Sequence, residues 1–349
     1  MKLVGYDQLV ENFARADRMD VRPPTEIPQL RVCENVFVIP GYDALYDADG
    51  RRIDISKRVL VPDDMAVAAA TRDRVELSYG RYCPPRVDIP AIYDVIDRPV
   101  LFVGQSWSHY GHFLTDVMSR LWALPSVAAD VPLLFLDRVG IKFGGKPYSS
   151  AVVEALDIKK RLFRCAVPTR LRKIFLPEPA IQHAYRIYHD LAAPHVKVSQ
   201  NIRRGGVSGF RDQLVYLSRT GLTDGLRKSA QEAEVESRAE AIGFKILRPE
   251  TLTMRDQIDI FNDARVIAGM TGSAFHTVLF CEASISPVLV QLSWGKVNQR
   301  YLMIDQIKNT QSIYVRAGEI TQLSEKNRVE MVKLDVTMSI EAITEAARA

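Results

Sequence analysis

The chain has 349 residues, of which 47% are hydrophobic and 25% are charged. At roughly 150 residues per domain this length predicts about two domains, and the composition excludes a disordered or collagen-like chain. Lysine and arginine exceed aspartate and glutamate by only 46 − 42 = 4. Short basic stripes occur at residues 170–173 and 203–204. This surplus is too small to indicate nucleic-acid binding.

No apolar stretch approaches the roughly 20 residues that cross a bilayer. Asp7, Glu11 and Asp17 stand where an export signal would be apolar. The four cysteines form no CxxC pair, a pattern that favours free thiols in a reducing compartment over disulfides or a zinc site. These features predict a cytoplasmic protein and leave peripheral association with a membrane open. They do not fix the oligomeric state.

The first hundred residues predict short strands. Residues 30–40 are apolar and β-branched, and the turn at Ala48-Asp49-Gly50 before residues 52–56 indicates a hairpin. From residue 100 the pattern changes, because strand-like runs at 100–103 and 131–136 alternate with helical ones at 108–124 and 149–156. Such alternation predicts a parallel sheet.

Three glycines and a serine within residues 205–209 predict a linker. Beyond it, four strands at 214–217, 245–247, 266–269 and 288–292 alternate with helices at about 228–242, 254–261, 273–281 and 299–307. The predicted organisation is therefore an N-terminal domain (1–204, with a β-rich start), a linker (205–210), a C-terminal nucleotide-binding domain (211–337) and a final helix (338–349) that could cross back. The predicted class is α/β, with two Rossmann-like domains facing a cleft and ligands at the carboxyl ends of strands.

A polar stripe is predicted on the first long helix. His109, His112, Asp116 and Arg120 follow one another at spacings of three, four and four, which places them on one helix face. An imidazole and a carboxylate four residues apart can hydrogen-bond and accept a proton from a hydroxyl, so His112 and Asp116 are a candidate base. The alternative is a structural salt bridge between Asp116 and Arg120. A metal site is less favoured because HExxH is absent.

Two features of the second half indicate anion binding. Arg219 ends a strand, and Arg227 and Lys228 are expected to begin the next helix, so three cations could hold a diphosphate. Small residues at 271–274 link a strand to a helix, where main-chain N–H groups and the helix dipole can bind phosphate. Neither GxGxxG nor a P-loop is present, and small residues at such a turn also serve packing.

Residues 108–116 and 120–124 resemble the aromatic-His-aromatic-Leu-x-Asp/Glu and Arg-Leu block of glycosyltransferase family 61. Residues 216–219, 227–232, 243–244, Gln257 and 266–280 follow the order of that family. The resemblance, from about residue 100 to 292, implies an inverting enzyme of the GT-B fold. It implies a nucleotide-sugar donor on the second domain and a glycan acceptor on the first, with no metal or other cofactor required.

The resemblance also implies roles for single residues. Asp116 would be the general base, with His112 orienting it or sharing the role. The donor would be bound by residues on the second domain, and the acceptor would meet residues beside the base. The donor-binding set is Arg219, Arg227, Lys228, Thr271, Gly272, Ser273, Ala274 and His276, and the acceptor-side set is His109, Tyr110 and Arg120.

The chain departs from the family pattern at four places, so the resemblance leaves the donor open. Thr271 replaces a histidine, Gln231 an asparagine and His276-Thr277 a Thr-Asn pair, and the family has a glutamate near the position of Gln291. The expected function is hexosyl or pentosyl transfer to a surface or capsular polysaccharide by single displacement. Two alternatives stay open: a polysaccharide-modifying transferase, such as a pyruvyl transferase, and a non-catalytic module that binds a glycan or a nucleotide.

Overall fold

The structure, a computed structural model, describes residues 2–4, 20–42, 44–55, 85–105, 109–136, 145–182, 186–222, 227–282, 287–295, 297–324 and 329–349. The chain divides into two compact units. Residues 22–194 form the middle unit, and residues 1–21 with 195–349 form the terminal unit. Both units combine sheets with helices, so the α/β class is confirmed.

The strands are bounded as follows, in chain order. They are β1 (Lys2–Val4), β2 (Asp20–Val21), β3 (Leu30–Val38), β4 (Leu45–Tyr46), β5 (Arg52–Ile53), β6 (Asp94–Ile96), β7 (Val100–Gln105), β8 (Leu133–Leu136), β9 (Leu162–Phe163), β10 (Thr169–Pro177), β11 (Ile181–Gln182), β12 (Arg186–Ile187), β13 (Leu214–Leu217), β14 (Arg227–Lys228), β15 (Lys245–Leu247), β16 (Val266–Met270), β17 (Val288–Trp294), β18 (Gln311–Ser324) and β19 (Val329–Leu334).

The first long helical segment of the described residues, α1, changes its hydrogen-bonding pattern along residues 110–126. It consists of an α-helical turn (Tyr110–His112), a π-helix (Phe113–Val117) and a 3-10 helix (Met118–Ser126). The other helices longer than a single turn in the described part of the chain are α2 (Pro147–Ala155), α3 (Ala192–Arg203), α4 (Glu232–Ala241), α5 (Met254–Asp263), α6 (Ser273–Phe280, a 3-10 helix), α7 (Gln299–Lys308) and α8 (Val336–Arg348).

The middle unit is built on one mixed sheet with the order β5-β4-β3-β10-β7-β8-β9, and β6 pairs with β10. Strands β10, β7, β8 and β9 are parallel, whereas β3, β4 and β5 pair antiparallel. The predicted hairpin is therefore present as β4 and β5. Strands β7 and β8 are almost wholly apolar, and their buried side chains supply much of the core.

The terminal unit has a sheet with the order β14-β19-β18-β17-β16-β13-β15, and β1 pairs with β18. All pairs of this sheet are parallel except β18 with β19. Local capping explains where its helices begin. The side chains of Thr253, Asn298 and Asp335 each accept a main-chain N–H in the first turn of α5, α7 and α8.

The division between the units falls between residues 194 and 195, before the predicted linker at 205–210. This division lies within α3, and ion pairs explain why residues 195–203 of that helix belong to the terminal unit. Arg203, at the end of α3, bonds to Asp259 at 2.8 Å and to Asp263 at 2.6 Å, both on α5. The final helix begins at Val336 and packs within the same unit, where Ala342 and Ile343 join the core beneath α4.

Candidate functional site

The first candidate region follows the carboxyl end of β7 in the middle unit. Gly104 lies at φ +114°, a conformation that favours glycine, and lets the chain leave the strand. Helical structure begins at Tyr110, with His109 at the N-cap. The predicted helix start at Ser108, together with residues 106 and 107, lies outside the described residues.

His112 and Asp116 are in direct contact on α1. The distance from His112 Nδ1 to Asp116 Oδ2 is 2.6 Å. The two side chains are 26% and 30% exposed, so the pair is both held and accessible. The opposite arc of the helix is buried through Phe113, Leu114 and Val117. The predicted i, i+4 contact is therefore present on the polar face of an amphipathic segment.

This contact defines what the pair can do chemically. An imidazole that donates its Nδ1–H to a carboxylate keeps Nε2 as an acceptor, and the carboxylate keeps its second oxygen. Thr115 Oγ1 lies 3.3 Å from Asp116 Oδ1, and Ser119 Oγ donates to the Asp116 carbonyl at 2.7 Å. Either member of the pair can thus take a proton from a hydroxyl group while the other orients it.

Aromatic rings lie beside the pair. The ring centroids of His109 and His112 are 5.2 Å apart. Tyr148, on α2, packs edge-on against Tyr110 at 5.2 Å and lies tilted against Phe113 at 5.3 Å. Burial raises the pKa of Tyr148 to about 12, so its hydroxyl stays protonated at neutral pH. Sequence reasoning missed Tyr148 because it reaches Tyr110 and Phe113 from another helix.

Arg120 is engaged with the main chain rather than with Asp116. Its guanidinium donates to the carbonyl oxygens of Pro177 and Ile55 and lies 5.2 Å from the centroid of the Phe102 ring. The residue is 6% exposed, and desolvation lowers its pKa to about 10. The alternative of a salt bridge between Asp116 and Arg120 is therefore wrong. We expect Arg120 to hold α1 against β7 and β10.

The second candidate region lies at the carboxyl edge of the sheet in the terminal unit. Strands β13 and β16 are parallel neighbours, with Leu217 opposite Gly269, so the residues after them meet at one edge. A Cβ atom added to Gly272 would lie 2.3 Å from Arg219 Nη1. The backbone of Gly272 is extended, with φ −173°, so glycine is needed there for space and not for conformation. Arg219 and the turn before α6 are thus brought together.

Gly272 is the N-cap of α6. The main-chain N–H groups of Ser273 and Ala274 begin the helix, where such groups have no carbonyl partner within it. Thr271 donates both its N–H (2.8 Å) and its hydroxyl (3.1 Å) to the Leu292 carbonyl, which ties the turn to β17. A helix N-terminus with an arginine against it can bind an anion.

His276 occupies the buried side of the same helix. Its ring stacks on Tyr301 of α7, with centroids 4.6 Å apart and planes 13° from parallel. The residue is 6% exposed. The structure therefore places His276 within the packing of the terminal unit, close in sequence to the turn. Sequence reasoning could not have found its partner Tyr301, which lies on a different helix.

Glu232 lies against Arg219, and sequence reasoning assigned it no role. Its Oε1 accepts the main-chain N–H of Arg219 at 3.0 Å. The residue is 2% exposed, and burial raises the pKa of the carboxyl to about 7. Nearby Glu236 and Glu250 act in the same direction, whereas the Arg219 N–H and its charge oppose them. A buried carboxyl half ionised near neutral pH therefore adjoins Arg219, the residue that lies against the Gly272 turn.

The prediction that Arg227 and Lys228 begin a helix is wrong. Both belong to β14, which pairs with Glu330 and Met331 of β19, and α4 begins at Glu232. Strand β17 pairs with β18 only as far as Gly318, and residues 318–324 of β18 continue past that point, paired with β19. Because β14 pairs with this part of β19, it lies on the carboxyl side of the sheet. Lys228 is exposed, and the side chain of Arg227 lies outside the described part of the chain.

Asp47 and Asp49 form a turn, as expected. Asp47 Oδ1 accepts the N–H groups of Asp49 and Arg51 at 2.9 and 2.8 Å.

Among the described residues, no group of three His, Cys, Asp or Glu side chains is arranged to hold a metal ion. Within the same described ranges, no helix is both long and apolar enough to cross a membrane.

The family model for glycosyltransferase 61 matches residues 110–288, which are 179 of the 349 residues. This match includes the His112–Asp116 pair and the turn at Gly272. The chain belongs to glycosyltransferase family 61, and its membership indicates a glycosyltransferase that uses a sugar donor and a glycan acceptor. No curated protein matches the chain significantly.

Proposed function

We propose that this chain is an inverting glycosyltransferase that moves a hexosyl or pentosyl group from a nucleotide sugar to a hydroxyl of a surface or capsular polysaccharide. The observation that carries the proposal is the position of Arg219 against the Gly272 turn at the start of α6. A cation and a helix N-terminus together suit the diphosphate of a nucleotide-sugar donor. The GT-B arrangement and a cytoplasmic location remain predictions.

The donor-binding role falls to the terminal unit. Arg219 and the N–H groups of Ser273 and Ala274 stabilise the charge that develops on the leaving diphosphate. Lys228, on the same side of the sheet, adds a further cation, and Thr271 fixes the turn through Leu292. We place Arg227 and His276 in this set on the family resemblance. The site needs no metal if these groups supply the charge.

The acceptor-activating role falls to the middle unit. Asp116, oriented by His112, takes the proton of the acceptor hydroxyl as its oxygen forms a bond to the anomeric carbon. The bond from that carbon to the phosphate oxygen breaks, and its electron pair leaves with the nucleoside diphosphate. One base and no enzyme nucleophile make this a single displacement, which inverts the anomeric configuration. His109 and Tyr110 would contact the acceptor.

The test is release of nucleotide by the purified full-length chain. UDP-, GDP- and CMP-sugars are offered with a mixture of short oligosaccharides, and free nucleotide and product are measured by mass spectrometry. One donor class should give transfer, and Asp116→Asn should abolish it while binding the same nucleotide. Nucleotide binding without release from any donor would favour a binding module, and transfer of a non-sugar group would favour a modifying transferase.

A further inference from the structure

The buried carboxyl of Glu232 lies beside the main chain of Arg219, the residue that would bind the diphosphate in the proposed function. It is 2% exposed and bonds at 3.0 Å to the main-chain N–H of Arg219, the residue whose guanidinium lies against Gly272. Glu232 thus fixes the chain position from which the arginine reaches the turn. Such a carboxyl, if ionised, repels the anion that Arg219 attracts.

The charged groups around Glu232 come from every element that packs on it. Glu236 lies on the same helix and accepts the Ser218 hydroxyl at 2.6 Å. Glu250 follows β15 and Tyr216 lies on β13, where the charges of Glu232, Glu236 and Arg219 all act on its hydroxyl. Among the described residues, the charges that act on Glu232 are those of Arg219, Glu236 and Glu250. The side chains of Arg248 and Glu250 both come close to Gly221. One arginine against two acids favours uptake of a proton when another anion arrives.

We propose, building on the proposed function, that Glu232 is a positioning residue that takes up a proton when a diphosphate binds beside Arg219. The hydrogen bond from the Arg219 N–H survives this change, because a protonated carboxyl still accepts through its carbonyl oxygen. Only the repulsion between carboxylate and diphosphate is removed. Binding of the leaving group is therefore tighter on the acid side of neutrality, and ionisation of Glu232 promotes its release.

Binding of a diphosphate should be accompanied by uptake of a proton, and not by its release, because the bound anion raises the pKa of Glu232. Burial already raises the pKa of this carboxyl to about 7, so near neutral pH a fraction of the molecules carries the charge. A second anion nearby raises the pKa further and converts that fraction to the neutral form. Proton uptake on binding should be greatest near and just above pH 7 and should vanish well below it.

The experiment compares Glu232→Gln with the wild type, because glutamine keeps the acceptor and the shape but never ionises. Inorganic pyrophosphate is titrated into each full-length protein by calorimetry at pH 6, pH 7 and pH 8.5, in buffers of different ionisation enthalpy. Comparing proteins at one pH cancels the ionisation of pyrophosphate itself. At pH 8.5 the variant should bind about tenfold more tightly than the wild type, given two like charges at close range. At pH 6 the two affinities should agree within about twofold.

A matched control variant and three possible outcomes test whether Glu232 takes up a proton when the diphosphate binds. Glu236→Gln removes a carboxylate that helps to raise the pKa of Glu232, so it should keep the change in affinity with pH but move it to slightly lower pH. If Glu232→Gln binds no more tightly at pH 8.5, or takes up as many protons as the wild type near pH 7, the linkage is overturned and the diphosphate site stands. If the wild type binds no pyrophosphate at either pH, the diphosphate site itself is overturned and the linkage with it.

Discussion

The guanidinium of Arg219 occupies the space that a side chain on Gly272 would need. A Cβ atom there would lie 2.3 Å from Nη1, and that atom is the far end of a flexible side chain, not backbone. Substitution of Gly272 should therefore displace the arginine before it disturbs the sheet. In the proposed function the turn and the cation act together on an anion, and each can be changed separately.

Gly272→Ala should weaken binding of the nucleoside diphosphate about tenfold, because losing one charge-assisted hydrogen bond costs about 1.5 kcal/mol. The free energy of unfolding should change by less than about 1 kcal/mol, since Arg219 can move. Calorimetry and urea denaturation measure the two effects. Gly209→Ala is the control, because a Cβ atom there meets nothing within 4 Å. Equal affinity in both variants would contradict this role for Gly272.

Asp116→Asn should lower kcat by roughly 10²- to 10⁴-fold, the usual contribution of a general base. The affinity for nucleotide should be unchanged, because the proposed donor-binding residues lie in the terminal unit. His112→Asn should lower kcat less if His112 only orients Asp116. A larger loss for His112→Asn would assign the base to the imidazole. If Asp116→Asn keeps more than about a tenth of the wild-type kcat, Asp116 is neither the general base nor the residue that orients His112 as the base.

Arg120→Met should lower the free energy of unfolding by about 2–4 kcal/mol, because two buried carbonyl oxygens lose a charged donor. Arg172→Met is the matched control. Arg172 is exposed and pairs with the exposed Asp97 at 2.5 Å, so its loss should cost less than about 1 kcal/mol. Urea denaturation distinguishes the two. Full stability of Arg120→Met, with loss of acceptor binding, would instead place Arg120 at the acceptor.

Glu232 should also make stability depend on pH. Its pKa is about 7 when folded, against 4.5 for an exposed glutamate, so the folded state holds the proton more tightly. The resulting stabilisation is complete below pH 4.5 and is lost as the pH rises through about 7. Across that window it amounts to about 3 kcal/mol at most.

Urea denaturation of the wild type and of Glu232→Gln at pH 4.5 and pH 8 measures this contribution. The free energy of unfolding of Glu232→Gln should fall less than that of the wild type over the same interval. Glu236→Gln, which keeps Glu232 but lacks a carboxylate that raises its pKa, should retain the pH dependence with its upper end at slightly lower pH. An identical pH dependence in Glu232→Gln and the wild type would contradict the raised pKa.

The sequence predicts those features that depend on near neighbours. The strand at 214–217 and the strand at 245–247 have the predicted bounds, and the His112–Asp116 contact follows from helical spacing. Arg227 and Lys228 read as a helix start because polar residues follow them, yet pairing with β19 overrides this local preference. Local patterns cannot report a partner strand about a hundred residues away.

The same limit explains which site contacts went unpredicted. Glu232 meets Arg219, and Tyr148 meets Tyr110, only after helices have packed on their sheets. Arg219 and Gly272 could be placed at strand ends from the sequence, because each follows an apolar run. Their contact requires β13 and β16 to be neighbours, which the order of strands decides and the pattern of residues does not.

The central claim is that Arg219 and the Gly272 turn bind the diphosphate of the donor. Its most direct test is to measure, by thermal shift and calorimetry, the binding of nucleoside diphosphates to the wild type and to Arg219→Ala. One of UDP, GDP or CDP should stabilise the wild type, by about 2.7 kcal/mol at a hundred times its Kd. Arg219→Ala should lose most of this stabilisation, and Asp116→Asn should keep it. Equal stabilisation of the wild type and Arg219→Ala, or none with any nucleotide, would contradict the assignment of the donor site.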